Sequence, residues 1–486
     1  MSGWGLWWRP LPGALPPEAV FAELFGRSAH AFWLDSSLLD GRARFSFLGA
    51  PDGEAGEVLT ARVGEGVDVC GREGTAHVAG SVFDLLADRL ARRRLPARVR
   101  KSLPFPAEAA CGYVGYFGYE LRAELGSPAR HRAPTPDAVW MAASRLVVVD
   151  HWSERAWLVA FGGQEETTRW MAEASRRLAG GSPPPPPPAA TGTVAPEPWL
   201  KTTRAAYERD VVRCLEQLRA GESYEICLTT TLEAPVSEDP VVAYRRLRRS
   251  SPAPYAAYLR LADTHVLSAS PERFLTVTSD RRVVSSPIKG TAPRSSDPAV
   301  DAEAAAALVR DPKTRAENLM IVDLIRNDLG RVCRPGTVTV PAFCAVESYA
   351  TVHQLVSTIE GRLRDGVDVL DAVRACFPAG SMTGAPKIAT MAILDALEPR
   401  ARGVYAGALG HLGLADTADL SVVIRTAVIA GGRARIGAGG AVVLDSDPAQ
   451  EWAEMLLKAA VPLRAFDDPA VEPGKDGAGY RGAVMS

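Results

Sequence analysis

The chain has 486 residues, which is enough for one large domain or two ordinary ones. Its 55 Lys and Arg residues nearly balance its 57 Asp and Glu residues, so composition gives no support for a nucleic-acid partner. No apolar run reaches the ~18 residues of a membrane helix, and we expect no membrane association. With no secretory signal at the start and seven scattered cysteines lacking a CxxC pair, the sequence predicts a cytoplasmic protein with reduced thiols.

Composition divides the chain at one place. Residues 181–198 contain six consecutive prolines and then small residues, which predicts an extended linker. We therefore expect an N-terminal region at 1–180 and a second region at 199–466. Residues 467–486 are polar and rich in glycine, and this pattern predicts a frayed tail.

Short apolar runs in the N-terminal region predict strands, with helical patterns between them. The strands are expected at 31–35, 44–48, 146–149 and 157–160, and a helix at 81–93. None of these segments has the pattern of a reaction centre.

The second region alternates helices and strands. Helices are predicted at 205–220, 314–332, 386–397 and 448–466, and strands at 223–232, 255–261, 265–269, 273–278, 282–286, 420–429 and 433–436. Gly431 and Gly432 predict a hairpin between the last two strands. Many neighbouring strands joined by tight turns favour an α+β fold over a doubly wound parallel sheet.

Several charged residues in this region are candidates for chemistry. Lys289 lies in Pro287–Thr291, where a turn is predicted after a strand, and it is either a solvated charge or a buried amine. Glu451, Glu454 and Lys458 share one helix face, either as a solvated face with an ion pair or as carboxylates for a hard cation. Glu317 faces inward on an apolar helix, so it needs a salt bridge or a metal.

Arg425 interrupts an apolar strand, which indicates either a buried ion pair or an anionic ligand. Two glycine-rich loops, 380–386 and 437–440, could expose backbone N–H groups to an anion. Neither fits a Walker or Rossmann pattern, so a small polycarboxylate is favoured over a nucleotide. Glu272 is either a proton donor or a loop carboxylate paired with an arginine, and a lone His353 in an apolar segment is more often a core residue.

Nine segments in order resemble the chorismate-utilising enzymes, which include anthranilate, aminodeoxychorismate, isochorismate and salicylate synthases. The segments are GESYEICLT, SPERF, PIKGT, DPKTRAENLMIVDLIRNDLGRVC, VHQLVSTI, FPAGSMTGAPK, RGVYAGALG, IRTAVI and GAGGAVVLDSDPAQEWAEMLLKA. WLDSS and RFSFLG extend the resemblance into the N-terminal region. It implies an α+β fold of two large packed antiparallel sheets flanked by helices.

The resemblance also implies roles for the candidate residues. Glu317, Glu454 and Glu451 would hold Mg²⁺, Glu272 would be the general acid, and His353 would line the ring pocket. The residues implied to bind substrate are Tyr405, Arg425, Gly439, Gly440, Lys458, Thr291, Thr383 and Gly384. Family sequences that read PIAGT at Lys289 are typically anthranilate synthases, whereas PIKGT is typical of component I of aminodeoxychorismate synthases.

The resemblance therefore implies that Lys289 adds to C2 of chorismate and that ammonia then attacks C4, giving 4-amino-4-deoxychorismate. A lowered pKa is expected for Lys289 beside a cation and an arginine. Because no glutaminase motif or lyase region is seen, we expect a separate glutamine amidotransferase subunit and a downstream lyase that forms 4-aminobenzoate. Anthranilate synthase component I is the alternative, and isochorismate synthase or a non-catalytic ligand-binding paralogue is a further one. Whether the N-terminal region binds an amino-acid effector, and whether the product feeds folate or another metabolite, stays open.

Overall fold

The computed structural model describes residues 4–13, 15–38, 44–180, 184–187, 195–349 and 352–466. The predicted tail and most of the predicted linker lie outside the described residues. Within the described ranges, no helix is long and apolar enough to cross a membrane.

Among the described residues, strands outnumber the α-helices. In chain order they are β1 Trp4–Leu11, β2 His30–Asp35, β3 Phe45–Ala50, β4 Glu57–Arg62, β5 Gly66–Gly71, β6 Gly74–Val78, β7 Cys111–Phe117, β8 Ala138–Ala142, β9 Arg145–Asp150, β10 Arg155–Gly163, β11 Glu225–Pro235, β12 Tyr255–Leu261, β13 Thr264–Ser270, β14 Arg273–Val277, β15 Arg282–Ser286, β16 Ile288–Pro293, β17 Thr339–Ser348, β18 Val352–Arg362, β19 Gly384–Ala385, β20 Ala408–Gly413, β21 Thr417–Val422, β22 Thr426–Ala430 and β23 Arg433–Val442.

The α-helices lie between these strands. They are α1 Pro17–Val20, α2 Val82–Arg92, α3 Ala97–Ser102, α4 Gln164–Gly180, α5 Arg204–Arg219, α6 Pro240–Ser250, α7 Pro298–Arg310, α8 Pro312–Gly330, α9 Val369–Cys376, α10 Lys387–Leu397 and α11 Pro448–Leu463. Most predicted helices and strands are therefore present, with ends shifted by a few residues.

The strands form two large antiparallel sheets, as the resemblance implies. One has eleven strands in the order β1-β10-β9-β3-β2-β12-β13-β22-β23-β11-β19. The other has twelve, in the order β16-β18-β15-β14-β21-β20-β7-β8-β4-β5-β6, with β17 paired to β18. Both sheets contain strands from before and after the proline-rich segment. The expected α+β class is confirmed.

Alternation along the strands places the core on both faces of the eleven-stranded sheet. Phe32 packs into one cluster with Trp140 and Leu412 of the twelve-stranded sheet. Trp33, the next residue, points to the opposite face and joins a second cluster with Tyr244 of α6 and Trp452 of α11. One core thus lies between the sheets, and the other lies under the helices.

Capping residues fix where the two helices that flank the candidate site begin. Asp311 accepts a hydrogen bond from the Thr314 backbone N–H at the start of α8, and Pro312 occupies the first turn. Asp447 accepts from the backbone N–H groups of Ala449 and Gln450 at the start of α11, again followed by a proline. These caps set which side chains each helix presents to the site.

The structure differs from the sequence prediction at three places near the candidate site. The predicted strand at 420–429 is two strands, β21 and β22, which belong to different sheets. The predicted turn at 287–291 is mostly strand β16, and the predicted glycine loop at 437–440 lies within β23. Helix α8 is less buried than its apolar composition suggested, because Leu319 is 59% exposed.

A buried ion pair ties these elements together. Arg402 donates to both carboxylate oxygens of Glu398, at 2.6 and 2.8 Å, and to the backbone carbonyls of Met382 and Cys227. Glu398 in turn accepts from the Thr229 backbone N–H at 2.9 Å. The pair therefore joins β11 to the segment before β19.

We expect Arg402→Ala to lower the free energy of unfolding by about 3–5 kcal/mol, because Glu398 is left buried without its cation. Arg169→Ala is the matched control, since it removes an exposed i,i+4 pair with Glu165 and should change stability by about 0–1 kcal/mol. Urea unfolding followed by tryptophan fluorescence measures both. Equal effects of the two substitutions would contradict the structural role of Arg402.

Candidate active site

Lys289 lies on β16 at the edge of the twelve-stranded sheet. The pairing of β16 with β18 shifts register between Ile288 and Thr291, so Lys289 sits in an irregular stretch of the ladder. Its backbone carbonyl accepts a hydrogen bond from Asn318 Nδ2 at 3.0 Å, which fastens the strand to α8. The side chain is 9% exposed, so Lys289 is a buried amine rather than a solvated charge.

The partner of the Lys289 amine is Glu225, the first residue of β11. Nζ lies 2.5 Å from Glu225 Oε1, and the Glu225 side chain is fully buried. A Cβ on Gly384 would lie 1.8 Å from the Glu225 carbonyl oxygen, so a glycine is required there for β19 to pack on β11. Sequence reasoning missed Glu225. The sequence signal for it is a glutamate at the start of an apolar strand in the segment GESYEICLT, because a charge without a partner is costly there.

Glu225 reverses the expected direction of the Lys289 pKa. Burial alone lowers the pKa of this amine, but the charges of Glu225 and Glu317 outweigh burial and hold the pKa above its ordinary range. The expectation of a lowered pKa was therefore wrong for the protein without ligands. Lys289 rests as an ammonium in an ion pair.

Glu272 lies between β13 and β14 and is also buried. Ser381 Oγ donates to its Oε1 at 2.7 Å. Burial raises the pKa of Glu272 to about 7, and the Ser381 hydrogen bond and the charges of Lys289 and Lys458 limit the rise. A carboxyl group with that pKa can carry a proton near neutral pH and donate it.

Three further carboxylates come from α8 and α11. Burial raises the pKa of Glu317 to about 7, and the charges of Glu225 and Glu454 add to the rise. Glu451 accepts from Ser446 Oγ at 2.7 Å and lies 3.6 Å from Lys313 Nζ. Glu454 is half-exposed and pairs with Lys458 at 2.5 Å, as the ion-pair interpretation of this helix expected.

The chemistry of these carboxylates fits a hard divalent cation. Oε2 of Glu451 is buried and has no hydrogen-bond partner among the described residues. A Cβ on Gly440 would lie 2.8 Å from this oxygen and 3.8 Å from Glu454 Oε1, so the glycine leaves a space beside two carboxylates. Oxygen donors of this kind suit Mg²⁺. No three acidic, His or Cys side chains of the described residues form a preformed metal cluster.

Arg425 lies where the chain crosses from one sheet to the other, between β21 and β22, with a left-handed φ of 53°. Its Nη1 lies 3.4 Å from the Lys458 carbonyl oxygen. Within the described ranges, no Asp or Glu forms an ion pair with it. Burial lowers the pKa of its guanidinium, while the nearby Tyr405 and Glu454 oppose that shift. This is a partly buried cation suited to an anionic ligand.

Glycines and small residues shape the rest of this space. Gly439 and Gly440 lie on β23, opposite Thr229 and Leu228 of β11. A Cβ on Gly437 would lie 2.2 Å from the ring of Tyr405, so this glycine lets the tyrosine pack on the strand. Thr383 is buried, and its carbonyl accepts from the Cys227 backbone N–H at 2.9 Å.

Two predicted site residues are not joined to this group by any hydrogen bond or ion pair within the described ranges. His353 is buried on β18, with Nδ1 2.8 Å from Ser348 Oγ and Nε2 3.0 Å from Asp301 Oδ1. That arrangement suits a core histidine. Thr291 is exposed on β16. Their roles at the substrate stay predictions.

A cavity of about 260 Å³ lies away from these residues, between the two sheets. Its lining includes Asp35 and Ser36 of the WLDSS segment and Phe45 and Phe47 of RFSFLG, together with His411. The sequence left open an effector site near these segments, and the cavity shows that space for a small molecule exists there.

The comparison with protein families gives the class of this protein. The family model described as chorismate binding enzyme matches residues 68–464, which is most of the chain. The chain therefore belongs to the chorismate binding enzymes.

Curated relatives narrow the similarity. Aminodeoxychorismate synthase of Streptomyces pristinaespiralis is 48% identical over 92% of this chain and 63% of that protein, and the enzyme of Streptomyces griseus is 45% identical over 96% and 65%. The chain thus spans somewhat under two thirds of the length of these two proteins. Aminodeoxychorismate synthase component 1 of Salmonella typhimurium is 36% identical over 82% of this chain and 85% of that protein.

A solved structure supports the fold. Anthranilate synthase component I from Streptococcus pneumoniae TIGR4 is 27% identical, and the alignment covers 92% of this chain and 96% of that chain with a TM-score of 0.71. The two packed sheets therefore have the same fold as anthranilate synthase component I.

The raised pKa of Glu317 predicts how stability depends on pH. Its pKa is about 7 in the folded protein against an ordinary value of 4.5, so the folded state binds a proton more tightly. As pH rises through this window, the wild type should lose on the order of 1–3 kcal/mol of unfolding free energy relative to Glu317→Gln.

Urea unfolding from pH 4 to 8 measures that difference. Glu165→Gln, which alters an exposed carboxylate, should follow the wild type at every pH. A constant difference between wild type and Glu317→Gln across the range would contradict the raised pKa.

Proposed function

We propose that this chain aminates chorismate to 4-amino-4-deoxychorismate, as the component I of an aminodeoxychorismate synthase. One observation supports this most strongly: Lys289 is a buried amine whose charge influences Glu272, Glu317 and Glu454. An amine held in such a space can act as a nucleophile once it loses a proton. The sequence identity to two Streptomyces aminodeoxychorismate synthases agrees with this proposal.

In the proposed reaction, the Lys289 amine adds to C2 of chorismate while the C4–O bond breaks. Glu272 donates a proton to the departing hydroxyl, which leaves as water. Ammonia then attacks C4, the C2–N bond breaks, and the lysine is released. The pKa of about 7 for Glu272 supports its place as the acid, because the group holds its proton close to neutral pH.

The substrate is a dicarboxylate, and the site offers places for both anionic groups. Arg425, Tyr405 and the backbone at Gly439 and Gly440 are proposed to bind one carboxylate, with Lys458 adding positive charge. Thr383 and Gly384 shape the wall nearby, while Thr291 and His353 are assigned to the outer part of the pocket. Arg425 supports this best, because within the described ranges its guanidinium lacks a carboxylate partner.

Mg²⁺ is the proposed cofactor, held by Glu317, Glu454 and Glu451. When bound, it would act as a Lewis acid toward a substrate carboxylate and the leaving hydroxyl. The unpaired buried oxygen of Glu451 and the space left by Gly440 support this choice. Lys313 Nζ lies 3.6 Å from Glu451 Oε1, and its positive charge partly balances the charges of these carboxylates.

The proposed partners follow from the chemistry. Ammonia would come from a separate glutamine amidotransferase subunit, and the component 1 designation of the Salmonella relative supports a two-component arrangement. A downstream lyase would convert the product to 4-aminobenzoate, toward folate or another metabolite. We propose that the reaction takes place in the cytoplasm.

Anthranilate synthase component I is the competing function, because the solved structure of such a protein shares this fold. The two reactions begin from the same substrate and place nitrogen at different carbons, so the product separates them. Lys289 favours the 4-amino product.

We expect the protein to form 4-amino-4-deoxychorismate from chorismate, Mg²⁺ and ammonium, detected by liquid chromatography and mass spectrometry. Lys289→Ala should lower that rate at least tenfold or shift the product toward the 2-amino isomer, because the nucleophile is absent. Lys201→Ala is the control. Lys201 is an exposed lysine paired with Glu233, so its substitution should leave both the rate and the product unchanged. Fluorescent anthranilate from the wild type without added lyase would contradict the proposal.

We expect Mg²⁺ to raise the Tm of the purified protein and EDTA to reverse the rise, because a ligand that binds only the folded state stabilises it. The gain is about 2.7 kcal/mol at a concentration one hundred times Kd. Glu454→Gln should lose most of this gain. Asp323→Asn, which changes an exposed carboxylate on α8, should retain it, and an equal Mg²⁺ response of the two variants would remove Glu454 from the metal site.

A further inference from the structure

In the proposed reaction, Lys289 must give up a proton while it lies in an ion pair with Glu225. The destination inferred for that proton rests on the proposed reaction. An ammonium has no lone pair, so Lys289 must lose a proton before its nitrogen can bond to carbon. The charges around it favour the protonated form. Solvent has little access, because the lysine side chain is 9% exposed and that of Glu225 is fully buried. The proton therefore needs an acceptor inside the protein.

We propose that Glu225 accepts the proton of Lys289 when the amine attacks substrate and returns it when the lysine is released. Its Oε1 lies 2.5 Å from Nζ, so the transfer needs no movement of either side chain. Sequence motifs did not assign this residue.

The environment of Glu225 makes it a suitable base. Its second oxygen, Oε2, is buried and has no hydrogen-bond partner among the described residues. That oxygen has free lone pairs, so a proton on the carboxyl group would displace no existing hydrogen bond of Oε2. A protonated Glu225 would also leave no unpaired buried charge once Lys289 is neutral.

Other titratable groups face Lys289 but are less suited to this role. Glu317 from α8 and Glu454 from α11 influence its charge, yet neither forms a hydrogen bond to Nζ. Glu272 accepts from Ser381 and is assigned to the leaving hydroxyl. Burial raises the pKa of the Cys227 thiol, which keeps it protonated and unable to accept.

Backbone contacts hold both partners in register. Asn318 Nδ2 binds the Lys289 carbonyl, and Ser357 Oγ binds Asn318 Oδ1 at 3.1 Å. On the other side, Gly384 packs directly on the Glu225 carbonyl. Two strands and α8 therefore fix the backbone positions from which the carboxylate and the amine meet.

The proton count closes over one turnover. Nζ gives one proton to Glu225 and its lone pair to C2, and the ring double bonds shift toward C4. The C4–O electron pair leaves with the hydroxyl, which takes a proton from Glu272, and the double bonds shift back in the second step. Ammonia then bonds to C4, and the C2–N pair returns to Nζ as a neutral amine. Glu225 gives its proton back, while the ammonium formed at C4 supplies one to Glu272.

The test compares pH profiles of Glu225→Gln and wild type by single-turnover kinetics with chorismate, Mg²⁺ and ammonia. In the wild type the proton passes within the pair, so the step that forms the lysine adduct should vary little from pH 6.5 to 8.5 beyond the Glu272 ionisation. In Glu225→Gln the proton must leave to solvent. Its rate should fall ~10²–10⁴-fold at pH 7 and follow a different pH profile, because the substitution also removes the charge that favours the ammonium. Glu225→Asp should regain part of the rate.

Glu57→Gln is the matched control. Glu57 is a buried carboxylate paired with Arg93 at 2.7 Å on β4, so its substitution tests the loss of a buried charge away from Lys289. It should lower stability and leave the pH profile unchanged. A Glu225→Gln profile parallel to that of the wild type would overturn the proton transfer.

The product of the wild-type protein separates failure of this inference from failure of the proposed function. If the wild type forms no 4-amino product, the proposed function fails and this inference falls with it. If the wild type forms that product and Glu225→Gln matches it in rate and pH dependence, only the role of Glu225 is refuted.

Discussion

Compensation of charge in a buried space is the constraint on which the site depends. Five carboxylates interact with three lysines there: Glu225, Glu272, Glu317, Glu451 and Glu454 with Lys289, Lys313 and Lys458. Burial is the main cause that raises the pKa values of Glu272 and Glu317 to about 7, and the charge of Lys289 limits both rises.

The same constraint explains how distant segments come to share the site. Lysines and carboxylates from β11, β16, α8 and α11 are buried together only because two antiparallel sheets and two capped helices hold them. The Arg402–Glu398 pair performs a similar task, because this cation and carboxylate satisfy backbone groups of β11 and of the segment before β19. The charge of Lys289 on β16 is thus matched by Glu225 on β11.

Local pattern was enough to predict most strands and helices, since alternation and capping residues act over a few positions. It failed at 420–429, because a continuous apolar run has the same appearance whether it stays in one sheet or passes between two. The pKa of Lys289 was predicted in the wrong direction for a related reason. Its partner Glu225 is 64 residues away, and nothing in the spacing of the sequence joins them.

Each of the two sheets contains strands from both sides of the proline-rich segment. This arrangement limits how the chain can be recombined with a relative. β2 pairs with β12, and β7 pairs with β20, so each sheet is completed by residues far apart in sequence. In a chimaera of two related proteins joined near residue 190, the two strands of each of these pairs would come from different parents, whose sequences had diverged separately. Recombination at that point therefore has to preserve two strand–strand seams.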